Sequence, residues 1–189
     1  GVVGAEKRTV NQRGSRSRID RGDREMRTAR LPGTDLEVSV LCLGTMTYGS
    51  SPWRDWVLDE EAARPFIQRA LEAGINFFDT ADVYGWGHSE QVLGGALEDR
   101  RNEICLATKV GGDFYHGGVR LNFEPGYIAF ALEQSLRRLR TDHVDLYQLH
   151  NPPAEMMGDP ATYESLELLK AEHKIEHYGV SIHEPMEGL

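Results

Sequence analysis

The sequence predicts an α/β fold of the TIM (βα)8-barrel type, cut short after about its fifth strand and preceded by a small N-terminal β-hairpin. Three observations lead there. From Met26 onward, short apolar β-branched runs alternate with segments of helical periodicity, the sequence pattern of parallel strands and crossover helices. The turn after the first long strand reads Leu43-Gly44-Thr45-Met46-Thr47-Tyr48-Gly49, without the G-x-G-x-x-G that a doubly wound dinucleotide-binding sheet places there. The later strands end in polar residues at their C-terminal edges, which form the active-site face of barrel enzymes.

Residues 1–30 hold nine Lys and Arg against four acids, although the whole chain carries a formal net charge of −9. Apolar content at the start is too low to fold, so residues 1–26 are expected to be a disordered basic extension or a product of translation upstream of Met26. The folded domain then covers 27–189. Two extended stretches across 27–40 flank Pro32-Gly33, a type II turn pair, and predict the hairpin. The first barrel strand is 40–43, ending at Gly44, and a loop rich in Gly, Ser and aromatics fills 45–58.

Asp59 is the N-cap of a helix with Glu60 and Glu61 in its first turn and Gly74 as its stop. Pro65 lies inside that helix and predicts a kink, or its effective start. The second strand is 75–79, the second helix 89–98 and the third strand 104–108, followed by a Gly-rich loop over 111–122. In the third helix Ile128, Ala131, Leu132, Ser135, Leu136 and Leu139 recur on one face. Arg137, Arg138 and Arg140 lie opposite, as dipole partners on a solvated face. The fourth strand is 144–149, Asp159-Pro160 open a fourth helix ending near Lys174, and the fifth strand is 178–181. Such a chain stops about three strands short of a closed eight-stranded barrel. The open edges of strands one and five are expected to drive self-association.

Composition excludes several classes. With 40% hydrophobic and 27% charged residues the chain is neither disordered nor fibrous, and no apolar run approaches the ~18 residues of a membrane helix. Beyond residue 30 the balance is acidic, which argues against a nucleic-acid surface. Cys42 and Cys105 both sit in apolar runs, predicting buried reduced thiols and a reducing, cytoplasmic setting. His173 and His177 have metal-ligand spacing, but Gly179 follows at once, so solvent-facing side chains and no metal are expected. Gly85-Trp86-Gly87 lacks the Lys and hydroxyl of a phosphate loop and reads as a flexible turn. Trp53, Trp56, Trp86, Phe114 and Tyr115 fall in loops over the expected mouth, where they line a pocket for an apolar or aromatic carbonyl compound or pack the loops together.

The second strand ends in Asp79, the third in Lys109 and the fourth in His150, and Tyr84 lies in the loop beyond Asp79. A tyrosine is a poor acid near neutrality, and a neighbouring ammonium lowers its pKa toward the range useful for proton transfer. Lys109 is the candidate ammonium, Asp79 its partner, and neutral His150 a hydrogen-bond donor to a substrate oxygen.

Residues 27–183 resemble the N-terminal part of the aldo-keto reductases, NADPH-linked (βα)8-barrel oxidoreductases. The segments that carry the resemblance are Gly44-Thr45-Met46, the run from Gly74 through Asp79 and Tyr84 to Gly85, Ala107-Thr108-Lys109, the run from Asp145 to His150, and Gly179-Val180-Ser181. The resemblance implies a catalytic tetrad of Asp79, Tyr84, Lys109 and His150, with Tyr84 the general acid in reduction. It implies NADP(H) as cofactor, with Gly44, Thr45, Met46, Asp79 and Ser181 near the nicotinamide, and a small-molecule carbonyl substrate. Many members follow the serine with asparagine, where this chain has Ile182 and His183. The alternative is a catalytically inactive regulatory or binding module, or an incomplete fragment of the fold; such a module need not keep the tetrad, which is intact here.

Overall fold

In a computed structural model, which describes residues 25–115 and 117–182, the chain opens with an antiparallel hairpin of β1 (Thr28–Arg30) and β2 (Glu37–Ser39). The expected turn forms its tip: the Thr34 amide donates to the Leu31 carbonyl at 3.1 Å, and Gly33 takes φ +79°, as the second central position of a type II turn requires. Asn76 anchors the hairpin, accepting from the Ser39 amide at 2.6 Å and donating to the Glu37 carbonyl at 3.0 Å.

Next come β3 (Cys42–Gly44), two short paired strands β4 (Tyr48–Gly49) and β5 (Leu58–Asp59), and α1 (Glu60–Glu72). Then follow β6 (Phe77–Asp79), α2 (His88–Leu97), β7 (Cys105–Val110), a short antiparallel pair of β8 (Gly112–Asp113) and β9 (Arg120–Leu121), and α3 (Pro125–Leu139). The remaining elements are β10 (Val144–His150), α4 (Ala154–Met157), α5 (Pro160–Ala171) and β11 (Ile175–Ser181).

Strands β3, β6, β7, β10 and β11 make one all-parallel sheet whose spatial order is the order of the sequence. A doubly wound sheet reverses its order at a switch point, whereas a barrel adds each strand beside the last. This sheet follows the barrel rule. Phe78, Leu106 and Tyr147 from the strands meet Ile67 of α1, Leu93 of α2, Ile128 and Leu132 of α3 and Leu166 of α5 in one buried cluster. Each such aliphatic side chain contributes about 1.5–3 kcal/mol on burial.

Some local expectations needed correction. α1 starts at Glu60, where the Asp59 carboxylate caps the Ala62 amide at 3.0 Å, and it continues across Pro65 instead of starting there. β11 begins at Ile175 because Val144 of β10 pairs with it in register, so strand pairing ends the preceding helix early, at Ala171. Both Gly-rich loops contain short strand pairs, and α4 was not foreseen. Cys42 is exposed because β3 is an edge strand, whereas Cys105 is buried as expected; both thiols are free, and burial pushes the Cys105 thiol up to about 12. Apart from Glu25 and Met26, the basic extension lies outside the described residues. Among the described residues no helix is long and apolar enough to cross a membrane.

Candidate active site

The C-terminal strand ends bring the predicted residues together. Gly44, Asp79, His150 and Ser181 are the last residues of β3, β6, β10 and β11, and Lys109 is the last but one of β7. Register fixes their neighbours: Gly44 pairs with Asp79, Lys109 with Gln148, and His150 with Ser181. Tyr84 opens a tight turn over Tyr84–Gly87 in the loop that follows β6.

Lys109 is buried, and its Nζ donates to Asp79 Oδ2 at 2.6 Å and to the Thr80 carbonyl at 2.7 Å. The same Nζ lies 5.2 Å from the centre of the Tyr84 ring, and the His150 ring stands edge-on to that ring at 5.8 Å. Gln148, which sequence reasoning missed, donates to Asp79 Oδ1 at 3.4 Å. Its position two residues before His150 on one strand was a usable signal, because alternate residues share a face.

The expected lowering of the Tyr84 pKa is not found. Burial, then the Asp79 and Asp82 carboxylates, push the phenol up to about 12. The Lys109 ammonium does not reverse this, because the Asp79 carboxylate that holds it at 2.6 Å offsets much of its charge. Tyr84 is therefore a protonated donor throughout the neutral range.

Of the residues expected beside a cofactor, Thr45 faces inward. It is fully buried, its amide and hydroxyl both donate to the Asp79 carbonyl, and the hydroxyl also meets Ser89 Oγ at 2.9 Å. Thr45 thus ties the β3 loop to the end of β6, while Met46, 45% exposed, faces the mouth. Beside them an open cleft of about 630 Å³ is lined by Met46, Trp53, Arg54, Val83, Tyr84 and Trp86 among others. Of the five loop aromatics, Trp53 and Trp86 line this cleft, while Trp56 packs on Trp53 and Phe114 stacks on Tyr115. Hollows of about 690 and 700 Å³ elsewhere are lined by Arg101, Arg137 and Lys174, or by His143, His173 and Glu176, and hold none of the tetrad.

Behind the Tyr84 turn lies a buried ionic cluster that the sequence did not reveal. Glu90, fully buried at the start of α2, accepts from Thr108 Oγ1 at 2.6 Å and from Arg138 Nε at 2.6 Å. Arg138 is a correction: it does not lie on a solvated face, because its side chain is 13% exposed and also donates to Tyr115 Oη and Ser135 Oγ. Gly87, at φ +89°, makes room for it, since a Cβ there would stand 2.6 Å from Arg138 Cδ. Asp82, fully buried, makes no hydrogen bond of ordinary geometry through either oxygen. Burial, reinforced by the Glu90 charge and opposed by Arg138, raises its carboxyl well above the usual range. The Asp82 contribution to Tyr84 belongs to an ionised form that this burial disfavours, so burial and Asp79 dominate there.

The histidine pair does not form one metal face. His173 lies beyond α5 with φ +57°, and His177 is on β11 with Nε2 2.8 Å from Asp35 Oδ1. His143, Asp145 and Glu176 come within ligand reach of one another, but Asp145 Oδ2 is taken by Arg101 and the Leu106 amide, both at 2.8 Å.

Residues 40–187 match the family model described as Aldo/keto reductase family. The uncharacterized oxidoreductase YqkF of Bacillus subtilis (strain 168) is 39% identical over 158 residues, 82% of this chain and 49% of its own length. Among solved structures, the holo form of aldo-keto reductase AKR11C1 from Bacillus halodurans superposes with a TM-score of 0.75 at 43% identity, over 85% of this chain and 52% of that one. The glycerol dehydrogenase AKR11B4 from Gluconobacter oxydans gives a TM-score of 0.67 at 36% identity, over 85% and 50%. The chain spans about half the length of the curated relatives it matches.

Proposed function

The chain belongs to the aldo/keto reductase family of oxidoreductases, and on that premise we propose that it carries the proton-transfer site of an NADP(H)-dependent reductase of aldehydes or ketones, acting in the cytoplasm. The observation that carries the proposal is one cluster: Lys109 Nζ is held at 2.6 Å by Asp79 beneath the Tyr84 ring, with His150 edge-on to the same ring.

The mouth fits a nicotinamide nucleotide. Gly44 ends its strand with open space where a Cβ would stand, Met46 is exposed beside it, and Ser181 is paired in register with His150. Gly44, Met46, Asp79 and Ser181 would hold the nicotinamide, with Thr45 fixing the loop that presents Met46. When bound, the nucleotide supplies hydride for the carbonyl carbon.

The protein's residues handle the oxygen. Tyr84 Oη donates its proton as negative charge develops there, and a phenol raised to about 12 keeps that proton available until the substrate draws it. Lys109, fixed by Asp79 and the Thr80 carbonyl, keeps a cation under the ring, which offsets part of the phenolate charge that burial and Asp79 oppose. His150 donates a hydrogen bond to the substrate oxygen and orients the carbonyl. The intact set favours catalysis over a binding module. The outer edges of β3 and β11 bear no strand among the described residues and are where strand addition, from this polypeptide or a second copy, would proceed.

Replacing Tyr84 by Phe tests the reading. NADPH oxidation with 4-nitrobenzaldehyde should fall by roughly 10²- to 10⁴-fold, while NADPH still binds by fluorescence titration. Turnover at the wild-type rate would overturn the assignment.

A further inference from the structure

The mouth contains one cation that the proton-transfer chemistry does not use. Arg54 lines the cleft beside Tyr84, with its Cζ 4.9 Å from the centre of the Trp53 ring and 5.6 Å from that of Trp56. Trp53 is in turn 6.4 Å from the Tyr84 ring, so the guanidinium and the phenol flank the same indole. Among the described residues no carboxylate lies within ion-pair distance of Arg54, although most of the other exposed arginines among them have one. The other cleft residues are Met46, Pro52, Trp53, Val83, Tyr84, Trp86 and Val119, none of them acidic. In a chain of net charge −9, this is a local positive site at the entrance to the mouth.

We infer that Arg54 is an anion-binding residue of the substrate cleft, so that the site prefers carbonyl compounds bearing a carboxylate or similar anion at the end remote from the carbonyl. The inference rests on the reading of Tyr84 as the proton donor and names the substrate class for that site. A guanidinium held against two aromatic rings is restricted in its motion, and the N–H groups not turned to the rings are donors that match a carboxylate. Contact with the rings also removes in advance part of the rotamer entropy that an arginine otherwise loses on binding. An anion bound there places the body of the substrate along Trp53 and Trp86, and points its far end toward Tyr84 Oη. Neutral aldehydes reach the same phenol without this anchor, so the effect is a preference and not a requirement.

The three tryptophans of the chain, Trp53, Trp56 and Trp86, all belong to this loop cluster, so their fluorescence reports binding without turnover. Phenylacetate and its neutral analogue phenylacetamide are titrated against the wild-type chain, Arg54→Gln and Arg54→Lys. Phenylacetate should bind roughly five- to tenfold tighter in the wild type, the scale of a charge-assisted bond at a partly exposed site. The preference should shrink with added salt, fall to about one in R54Q, and take an intermediate value in R54K, which keeps the charge but loses the fork. Equal affinities in the wild type, binding of neither probe, or a preference that persists in R54Q overturns the inference. Titration with 2′,5′-ADP separates the other source of anionic groups: if its affinity drops in R54Q as much as that of phenylacetate, Arg54 serves nucleotide phosphates and the substrate assignment is wrong. Reduction of 4-formylbenzoate against its methyl ester should show the same ratio in kcat/KM, carried by KM. If neither aldehyde is reduced while the fluorescence preference holds, the reductase reading fails and the anion subsite stands.

Discussion

Replacing Arg138 by Met should unfold the site from behind. The methionine stem keeps much of the volume beside Gly87 but removes the guanidinium from Glu90, which is fully buried and would retain only the Thr108 hydroxyl. Removing one partner of a buried ion pair costs about 3–5 kcal/mol, because the remaining charge is left uncompensated. Against a total stability of about 5–15 kcal/mol, and at roughly 2–4 °C per kcal/mol for a chain of this size, the melting temperature should drop by about 6–20 °C.

The loss should be recovered by removing the stranded charge. Adding Glu90→Gln to R138M leaves a neutral amide beside the Thr108 hydroxyl and should restore most of the deficit in thermal melts at about pH 8. A loss below about 1 kcal/mol in R138M, or no recovery in the double variant, would show that the ion pair does not hold this helix junction together.

Asp82→Asn should make the protein more stable at alkaline pH. Burial holds the Asp82 carboxyl well above the usual range, so its contribution is fully present below about pH 4 and is lost as pH rises toward the folded value. Urea midpoints of D82N and wild type should therefore separate steadily from pH 5 to pH 8 in favour of the variant, and parallel profiles would refute the buried-acid account. For Tyr84, pushed up to about 12, reduction should show no loss attributable to the phenol up to about pH 9. Alcohol oxidation, which needs the phenolate, should rise close to tenfold per pH unit over the same range; a plateau in oxidation below pH 9 would mean that the working pKa lies far lower.

Much of this architecture was legible from local signals. Asp59 and Asp159-Pro160 mark helix starts through their own hydrogen-bonding and φ preferences, and both cap as read. Asp79, Lys109 and His150 stood out because each interrupts an apolar run at a strand end. Gln148 was hidden by its neutrality, and Arg138 by helical periodicity, which reports only which face a residue is on. Glu90, forty-eight positions earlier, turns that polar edge into a buried contact, and no local pattern encodes a pairing at that separation. The rise in the Tyr84 pKa was missed for a related reason. Proximity of Lys109 was inferred correctly, but the effect of a charge depends on what already neutralises it, and Asp79 does so at 2.6 Å.

Tyr84 is therefore held by two ion pairs with different tasks. Gly85, Trp86 and Gly87 following it are consecutive left-handed residues, at φ of +57°, +56° and +89°. For Trp86 that conformation costs about 1–3 kcal/mol. Such a turn persists only where its surroundings over-determine it, and they do so here. His88 Nδ1 closes on the Gly85 carbonyl at 2.6 Å, and Arg138, fixed by Glu90, fills the space that only a glycine leaves at position 87. The Glu90–Arg138 pair sets where the phenol stands, whereas the Asp79–Lys109 pair sets the charge beneath it. Breaking the first should displace the acid, and breaking the second should leave it in place with less support for its phenolate, so the two losses are separable by structure and by pH profile.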